Sequence, residues 1–206
     1  MATSFAQTSV TISGDLITHV RVLHKMAKDV IANGGTSDLT PFAIPAYILA
    51  VTAVEAFVNE VFLSDFGSLV LGESRLLPDE AEKLDVRLKL ILFPQFAFGQ
   101  TLPKGEQPYQ DMDLLVKLRN ELVHYKMNTK PPTFIKQLAQ RKIAVGVPAE
   151  EESGGPHPWA DRVSTLEGIR WAHNTACATV LAVLALAPSE KQPLLAGLSH
   201  NFLQIP

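Results

Sequence analysis

Apolar residues along this 206-residue chain recur at the spacing of α-helices, and this periodicity limits the fold more than any other feature. No convincing run of alternating apolar and polar residues, the pattern of half-buried β-strands, appears. Residues 45–66 are apolar almost all round and end before Gly67, which is typical of a central helix in a bundle. The sequence therefore predicts an all-α protein.

Glycine, proline and asparagine mark where the predicted helices end. The helices are predicted at about 15–32, 45–66, 79–92, 109–126, 134–142 and 161–186, with a mobile surface loop at 145–159. The tail after Pro188 can add one short helix. We expect an up-down bundle of five or six helices, in a single domain over residues 1–206. Its core is expected at about 10–187, with residues 188–206 as a C-terminal tail.

Composition excludes several classes of protein. A net charge of −3 argues against a polycation that coats nucleic acid, and the single cysteine, Cys177, excludes a disulfide framework or a thiolate metal cage. The first residues lack the pattern of an export signal. Two apolar stretches are interrupted by charge or too short for a membrane span, at 44–63 and 176–187. We expect a cytoplasmic protein with no membrane segment, metal ion or cofactor.

The main candidate site lies near the end of the predicted fourth helix, at Arg119, Asn120 and His124. This spacing places a permanent cation, an amide and an imidazole within about one and a half helical turns. Such groups can move a proton and hold a phosphate without a metal. From Lys117 to Lys142 there are seven cationic side chains and one carboxylate, Glu121, a formal excess of +6. The excess is either an ordinary solvated surface or part of a site around the Arg–His pair.

Two apolar stripes run along the same predicted helix. The residues of the core stripe are Leu114, Leu115, Leu118, Leu122 and Tyr125. Met112, Val116 and Val123 align roughly opposite them, between Arg119 on one side and Asn120 and His124 on the other. Either another helix of the same chain covers this second stripe or a second subunit does. We favour a homodimer with these three residues in its interface, because two-fold homodimers are the commonest oligomers.

A polar strip on the second predicted helix offers a related alternative. Thr52, Glu55 and Asn59 lie along one side of an otherwise apolar cylinder. The strip either faces water or supports the site, with Glu55 or Asn59 contacting Arg119 or His124. The second alternative follows from the need of a buried carboxylate for a cationic or hydrogen-bonding partner.

An Arg followed by Asn and then by His within four to six residues, late in a helix of an all-α bundle, resembles the HEPN domain family. The apolar helix around Glu55 and Asn59 is also similar to the corresponding part of many such domains. The resemblance covers about residues 42–186, and its specific positions are Arg119, Asn120 and His124. It implies a metal-independent endoribonuclease of the kind found in bacterial toxin–antitoxin, abortive-infection and CRISPR-associated systems. It also implies a dimer in which two copies of the motif face each other.

In this interpretation His124 acts as general base on an RNA 2′-hydroxyl or as general acid on the leaving oxygen. Arg119 holds the non-bridging phosphate oxygens, and Asn120 orients the phosphate or the imidazole. Attack by the 2′-hydroxyl explains a preference for RNA and leaves a cyclic phosphate. Lys117 and Lys126 bind the RNA backbone without regard to sequence.

Two other functions stay open at this point. Some HEPN proteins have lost catalysis and only bind RNA or a nucleotide, so the chain can be a non-catalytic module that binds RNA, a nucleotide or a protein partner. An antitoxin protein is expected as a partner in the toxin–antitoxin interpretation. The chain can also be an all-α interaction or structural protein in which Arg119 and His124 are incidental. The remaining histidines suggest no further site: His19 and His24 are expected to be packing or surface residues, and His173 to lie in the core with Trp171 and Cys177.

Overall fold

A computed structural model describes residues 11–34, 40–63, 81–124, 131–145 and 159–206, with the side chain of Leu194 left out. Its helices are α1 (Ile12–Ala32), α2 (Ala43–Phe62), α3 (Val86–Phe98), α4 (Tyr109–Val123), α5 (Ile135–Gln140), α6 (Trp159–Arg162), α7 (Leu166–Ala185) and α8 (Gln192–Leu195), followed by a 3₁₀-helix, Ala196–Asn201. The described residues contain no strand. The prediction of an all-α helical bundle is confirmed, with five helices of more than ten residues in the described part.

Helix α2 lies at the centre of the bundle and packs against α1, α3, α4 and α7. Eleven of its residues are buried, among them Tyr47 and Phe57. By length and composition alone it is also the one described helix that could cross a membrane, with a mean hydropathy of 1.4. A core helix meets the same two criteria, and the packing of α2 is that of a core helix.

Helix α1 starts earlier than the predicted residue 15, because Thr11 caps it. The Thr11 hydroxyl accepts the N–H of Gly14 at 3.2 Å and satisfies one of the free donors of the first turn. The helix ends as predicted, at Ala32 before Asn33 and Gly34.

The prediction of one continuous helix at 79–92 is wrong, although residues 79 and 80 lie outside the described part of the chain. Ala81 and Glu82 are helical, and the helix is then interrupted at 83–85. Asp85 caps a new helix by accepting the N–H of Arg87, so α3 begins at Val86. The helix then continues through Pro94 to Phe98 and ends at Gly99, whose φ of 69° suits glycine. Packing explains why the proline is tolerated. The rings of Phe93 and Phe98 pack against the ring of Phe62 on α2, with centroids 5.5 and 5.8 Å apart.

The predicted final helix at 161–186 is divided into α6 and α7. The break lies at residues 163–165, where the Tyr47 hydroxyl donates a hydrogen bond to the carbonyl of Val163. Thr165 then caps α7 by accepting the N–H of Gly168 at 2.9 Å. A Cβ on Gly168 would collide with the Tyr47 hydroxyl, so this contact requires a glycine. The tertiary contact with α2 therefore sets where α7 begins.

The tail after residue 187 belongs to the core, which corrects the expected core boundary. Leu195 and Phe202 are almost completely buried, and the Phe202 ring packs edge-on against Phe57 at 5.8 Å. Asn174 on α7 forms two hydrogen bonds with the backbone of Ile205, at 2.8 and 2.9 Å. These contacts tie the tail to α2 and α7.

Candidate functional site

Helix α4, which carries the Arg–Asn–His motif, is buried along its core stripe, and along its second stripe except at the last turn. The described members of the core stripe are buried, as the sequence predicts: Leu114, Leu115, Leu118 and Leu122. On the second stripe Met112 and Val116 are 0% exposed, whereas Val123 is 52% exposed. The second stripe is therefore covered along most of α4 and open where the motif lies.

The assignment of Met112 and Val116 to a subunit interface is wrong. Side chains with no exposed surface in one chain cannot contact a second chain, and here the chain's own packing buries them. This is the other alternative that the sequence left open, cover by the same chain. Of the three proposed interface residues, Val123 alone stays accessible to a partner. Tyr125, the last predicted core position, lies outside the described residues.

Arg119 is half-buried beside the charged residues at the start of α3. Its Nε is buried and has no hydrogen-bond partner among the described residues. A hydrogen bond from Arg87 is the main reason that the pKa of Asp85 lies below its usual value, and the charge of Arg119 lowers it further. A buried donor without a partner is energetically unfavourable. Arg119 is therefore a half-buried cation whose hydrogen bonding is incomplete among the described residues.

Asn120 and His124 lie on one face at the C-terminal end of α4, four residues apart. His124 caps the helix, and its backbone N–H donates to the Asn120 carbonyl at 3.0 Å. The imidazole is exposed and has no hydrogen bond to a described residue. Five residues at about 100° each place His124 roughly 140° around the helix from Arg119, with Asn120 between them. In a single chain the two side chains therefore project in different directions.

Glu55 and Asn59 form no hydrogen bond or ion pair with Arg119 or His124, which corrects the predicted support of the motif. Both instead bind Lys89 of α3, whose side chain is 0% exposed. The Lys89 ammonium lies 3.0 Å from Asn59 Oδ1 and 3.3 Å from Glu55 Oε1. Glu55 has a cationic partner, but it is Lys89 rather than a residue of the motif, and Thr52, the third residue of the strip, is exposed to water.

Sequence reasoning missed Lys89, although the sequence contains a signal for it. Lys89 stands between Leu88 and Leu90 in a mainly apolar segment that reaches Phe93. A lone cation in such a segment is buried only with a partner. The polar strip of α2 supplies that partner, since α2 and α3 pack against each other.

A network of charges joins the start of α3 to α4. The Arg87 guanidinium binds Asp85 at 2.8 Å and Asp113 at 3.1 Å, and Asp113 also binds Lys117 at 2.7 Å. Burial, and then the charge of Asp113, raise the pKa of the Tyr109 hydroxyl. Lys117, predicted to bind RNA, is therefore partly neutralised by Asp113.

The basic excess of the motif region is smaller than the sequence count. Asp111 and Asp113 lie just before the counted segment and pair with Arg141 and Lys117. Counting both carboxylates lowers the formal excess from +6 to +4. Lys126, the second predicted RNA-binding lysine, lies outside the described residues.

Of the other singled-out residues of α7, His173 and Cys177 belong to the core, as the sequence predicts, and Trp171 is partly buried and packs against the core. His173 and Cys177 are fully buried. Burial lowers the pKa of His173 to about 4 and raises the pKa of the Cys177 thiol to about 12. Within the described segments no three His, Cys, Asp or Glu side chains are grouped to hold a metal ion.

Comparison with protein-family models, curated proteins and solved structures finds no match for this chain.

Proposed function

We propose that this protein is a HEPN-type endoribonuclease that cleaves RNA without a metal ion. The observation that supports this proposal best is the local opening of α4. Its apolar stripe is buried at Met112 and Val116 and exposed at Val123, in the turn that carries the motif. Arg119 adds a buried Nε with no partner to this turn. A cationic donor and an exposed imidazole at one helix end suit phosphate chemistry.

In the proposed reaction, His124 removes the proton from an RNA 2′-hydroxyl, or protonates the leaving 5′-oxygen of the next nucleotide. The 2′-oxygen bonds to phosphorus as the P–O5′ bond breaks, which leaves a 2′,3′-cyclic phosphate. Arg119 stabilises the charge that grows on the non-bridging oxygens, and Asn120 orients the phosphate or the imidazole. Lys117 and Lys126 attract the RNA backbone.

The proposed active form is a homodimer assembled through the last turn of α4. Arg119 and His124 project in directions about 140° apart, so one chain does not present both from the same side of the helix. Two copies that meet around Val123 would place the Arg119 of one near the His124 of the other. In this proposal RNA is the substrate, the setting is a cytoplasmic toxin–antitoxin or phage-defence system, and an antitoxin protein is a further partner.

A non-catalytic HEPN module that binds RNA, a nucleotide or a protein is the second candidate. The exposed imidazole of His124 supports it, since no described residue holds the ring in place by a hydrogen bond. General bases are usually oriented by a second group. After Lys117 and Arg141 are paired with carboxylates, a formal excess of +4 remains in this region, and such an excess attracts an anionic ligand whether or not the protein is catalytic.

Incubating the purified protein with total RNA in excess EDTA tests the proposal. We expect cleavage that EDTA does not inhibit, with 2′,3′-cyclic phosphate termini on the products and no cleavage of the corresponding DNA. RNA that is retained but not cleaved would favour the non-catalytic module. If the protein neither binds nor cleaves RNA, the ribonuclease proposal and an RNA-binding module are both contradicted.

Replacing Val123 with glutamate tests the dimer. We expect Val123→Glu to convert a dimer to a folded monomer in light scattering and circular dichroism, because it puts a charge into an apolar contact. Val30→Glu on α1 is a matched control, since Val30 is also a half-exposed valine, 48% against 52%. A monomeric wild-type protein at high concentration, or equal dissociation by both variants, would contradict the interface.

A further inference from the structure

An open cleft of about 390 Å³ lies between α1, the segment after α5 and the start of α7. Its walls include His24, Lys28, Lys142 and Arg170, and it shares no residue with the Arg–Asn–His motif. Its volume lies within the range of small-molecule sites, roughly 300–1,000 Å³. It is large enough for more than a single inorganic ion.

Cations from three parts of the chain meet in this cleft. Lys28 comes from α1, Lys142 follows α5, and Arg170 comes from α7. Glu167 in the lining pairs with Arg170 at 2.7 Å, and Pro206, the last residue, also lines the cleft. Lys28 and Lys142 are exposed and form no ion pair with a described residue. The balance of these side chains favours an anion.

Lys142 occupies the cleft in a backbone conformation that lysine seldom adopts. Its φ is 61°, in the left-handed region, at the end of α5 where glycine or asparagine is usual. The N–H of Lys142 donates to the Ala139 carbonyl at 2.9 Å. Residues held in such an unfavourable conformation are concentrated at functional sites.

His24 provides an independent sign of a ligand. It is 8% exposed, lines the cleft and has no hydrogen bond to a described residue. Burial, followed by the charges of Lys28 and Arg170, lowers its pKa below 6.5, while Glu167 raises it. The imidazole is therefore neutral at pH 7 and keeps one N–H to donate.

The first turn of α7 adds two backbone donors. The Thr165 hydroxyl satisfies Gly168 N–H, and the Thr165 carbonyl satisfies Ile169 N–H. The N–H groups of Leu166 and Glu167 form no hydrogen bond with a described residue, and both residues belong to the lining of the cleft. Free N–H groups at a helix N-terminus bind phosphate oxygens readily.

We infer that this cleft binds the phosphate group of a small organic phosphate monoester. The free N–H groups of α7, His24, Lys28 and Lys142 supply donors and charge for the phosphate oxygens. Val145 and Leu166 supply an apolar wall for the organic part. Inorganic phosphate shares the charge but not the apolar contact, so it should bind more weakly.

Titration calorimetry with phenyl phosphate and with inorganic phosphate, at matched ionic strength, tests the inference. We expect saturable one-to-one binding of phenyl phosphate, weakened about tenfold by Lys28→Gln and by Lys142→Gln. Lys25→Gln is the matched control, because Lys25 is an exposed lysine on the same helix outside the cleft. It should change the affinity by less than about twofold.

Absence of saturable binding to wild-type protein would overturn the inference, and so would equal weakening by Lys25→Gln. If phenyl phosphate and inorganic phosphate bound with equal affinity, the cleft would still be an anion site, but its assignment to a phosphate monoester would be overturned. Circular dichroism of the three variants checks their fold. The test requires no ribonuclease activity, so its failure is distinct from failure of the proposed function.

Discussion

Replacing Arg119 or His124 with alanine should lower RNA cleavage by about 10²–10⁴ and leave the melting temperature nearly unchanged. The His124 ring is exposed and has no hydrogen bond to a described residue, so its removal breaks no structural contact there. The Arg119 Nε has no partner among the described residues, so truncating this side chain leaves no partner of Nε unpaired. Cleavage rate and melting temperature should be measured on the same preparations.

Arg162→Ala and His200→Ala are the matched controls for this prediction. Arg162 is also partly buried and His200 is also exposed, and neither belongs to the motif. Both controls should cleave RNA at the wild-type rate. Activity that survives His124→Ala, or a loss of activity that follows a lower melting temperature, would contradict the proposed mechanism.

The helical architecture could be predicted from the sequence because apolar periodicity and capping residues are local signals. The errors occur where a distant contact decides a boundary. The helix passes through Pro94 because phenylalanines on both sides of it pack against Phe62. The final helix breaks before Leu166 because Tyr47, more than a hundred residues earlier, binds the carbonyl of Val163. Neither contact is visible in the local sequence.

The candidate site shows the same division between local and distant information. Two apolar stripes on α4 correctly indicate burial on two faces, but periodicity does not tell which element covers a face. Met112 and Val116 are covered by their own chain, and Val123 is not. The count of basic residues was misleading for a related reason, since Asp111 and Asp113 lie outside the counted segment and pair with cations inside it.

The cleft at the start of α7 could not be predicted from sequence patterns. Lys28, Lys142 and Arg170 are far apart in the chain, and no spacing rule connects them. His24 was expected to be an ordinary packing or surface residue, and its burial is compatible with that expectation. Its position beside three cations emerges when α1, α5 and α7 are assembled.

Removing the Glu55 carboxylate should destabilise the protein more than removing the Lys89 ammonium. Lys89 is 0% exposed, so Glu55→Ala leaves a cation in the core with Asn59 as its remaining described partner. Glu55 is 35% exposed, so after Lys89→Met its carboxylate can be hydrated. Because Glu55 is partly exposed, we expect the free energy of unfolding to fall by about 1–3 kcal/mol in Glu55→Ala and by about 1 kcal/mol or less in Lys89→Met.

The double variant gives the decisive comparison. Lys89→Met removes the buried cation, so no unpaired charge is left in the core when Glu55→Ala is added. The added substitution should therefore lower the free energy of unfolding only slightly, and the double variant should be more stable than Glu55→Ala alone. Glu121 is an exposed glutamate on α4, and Glu121→Ala therefore serves as the control for loss of a surface carboxylate. Urea unfolding of the four variants measures their free energies of unfolding. Additive losses, or a larger loss for Lys89→Met than for Glu55→Ala, would show that Lys89 is held in the core by its packing rather than by the carboxylate of α2.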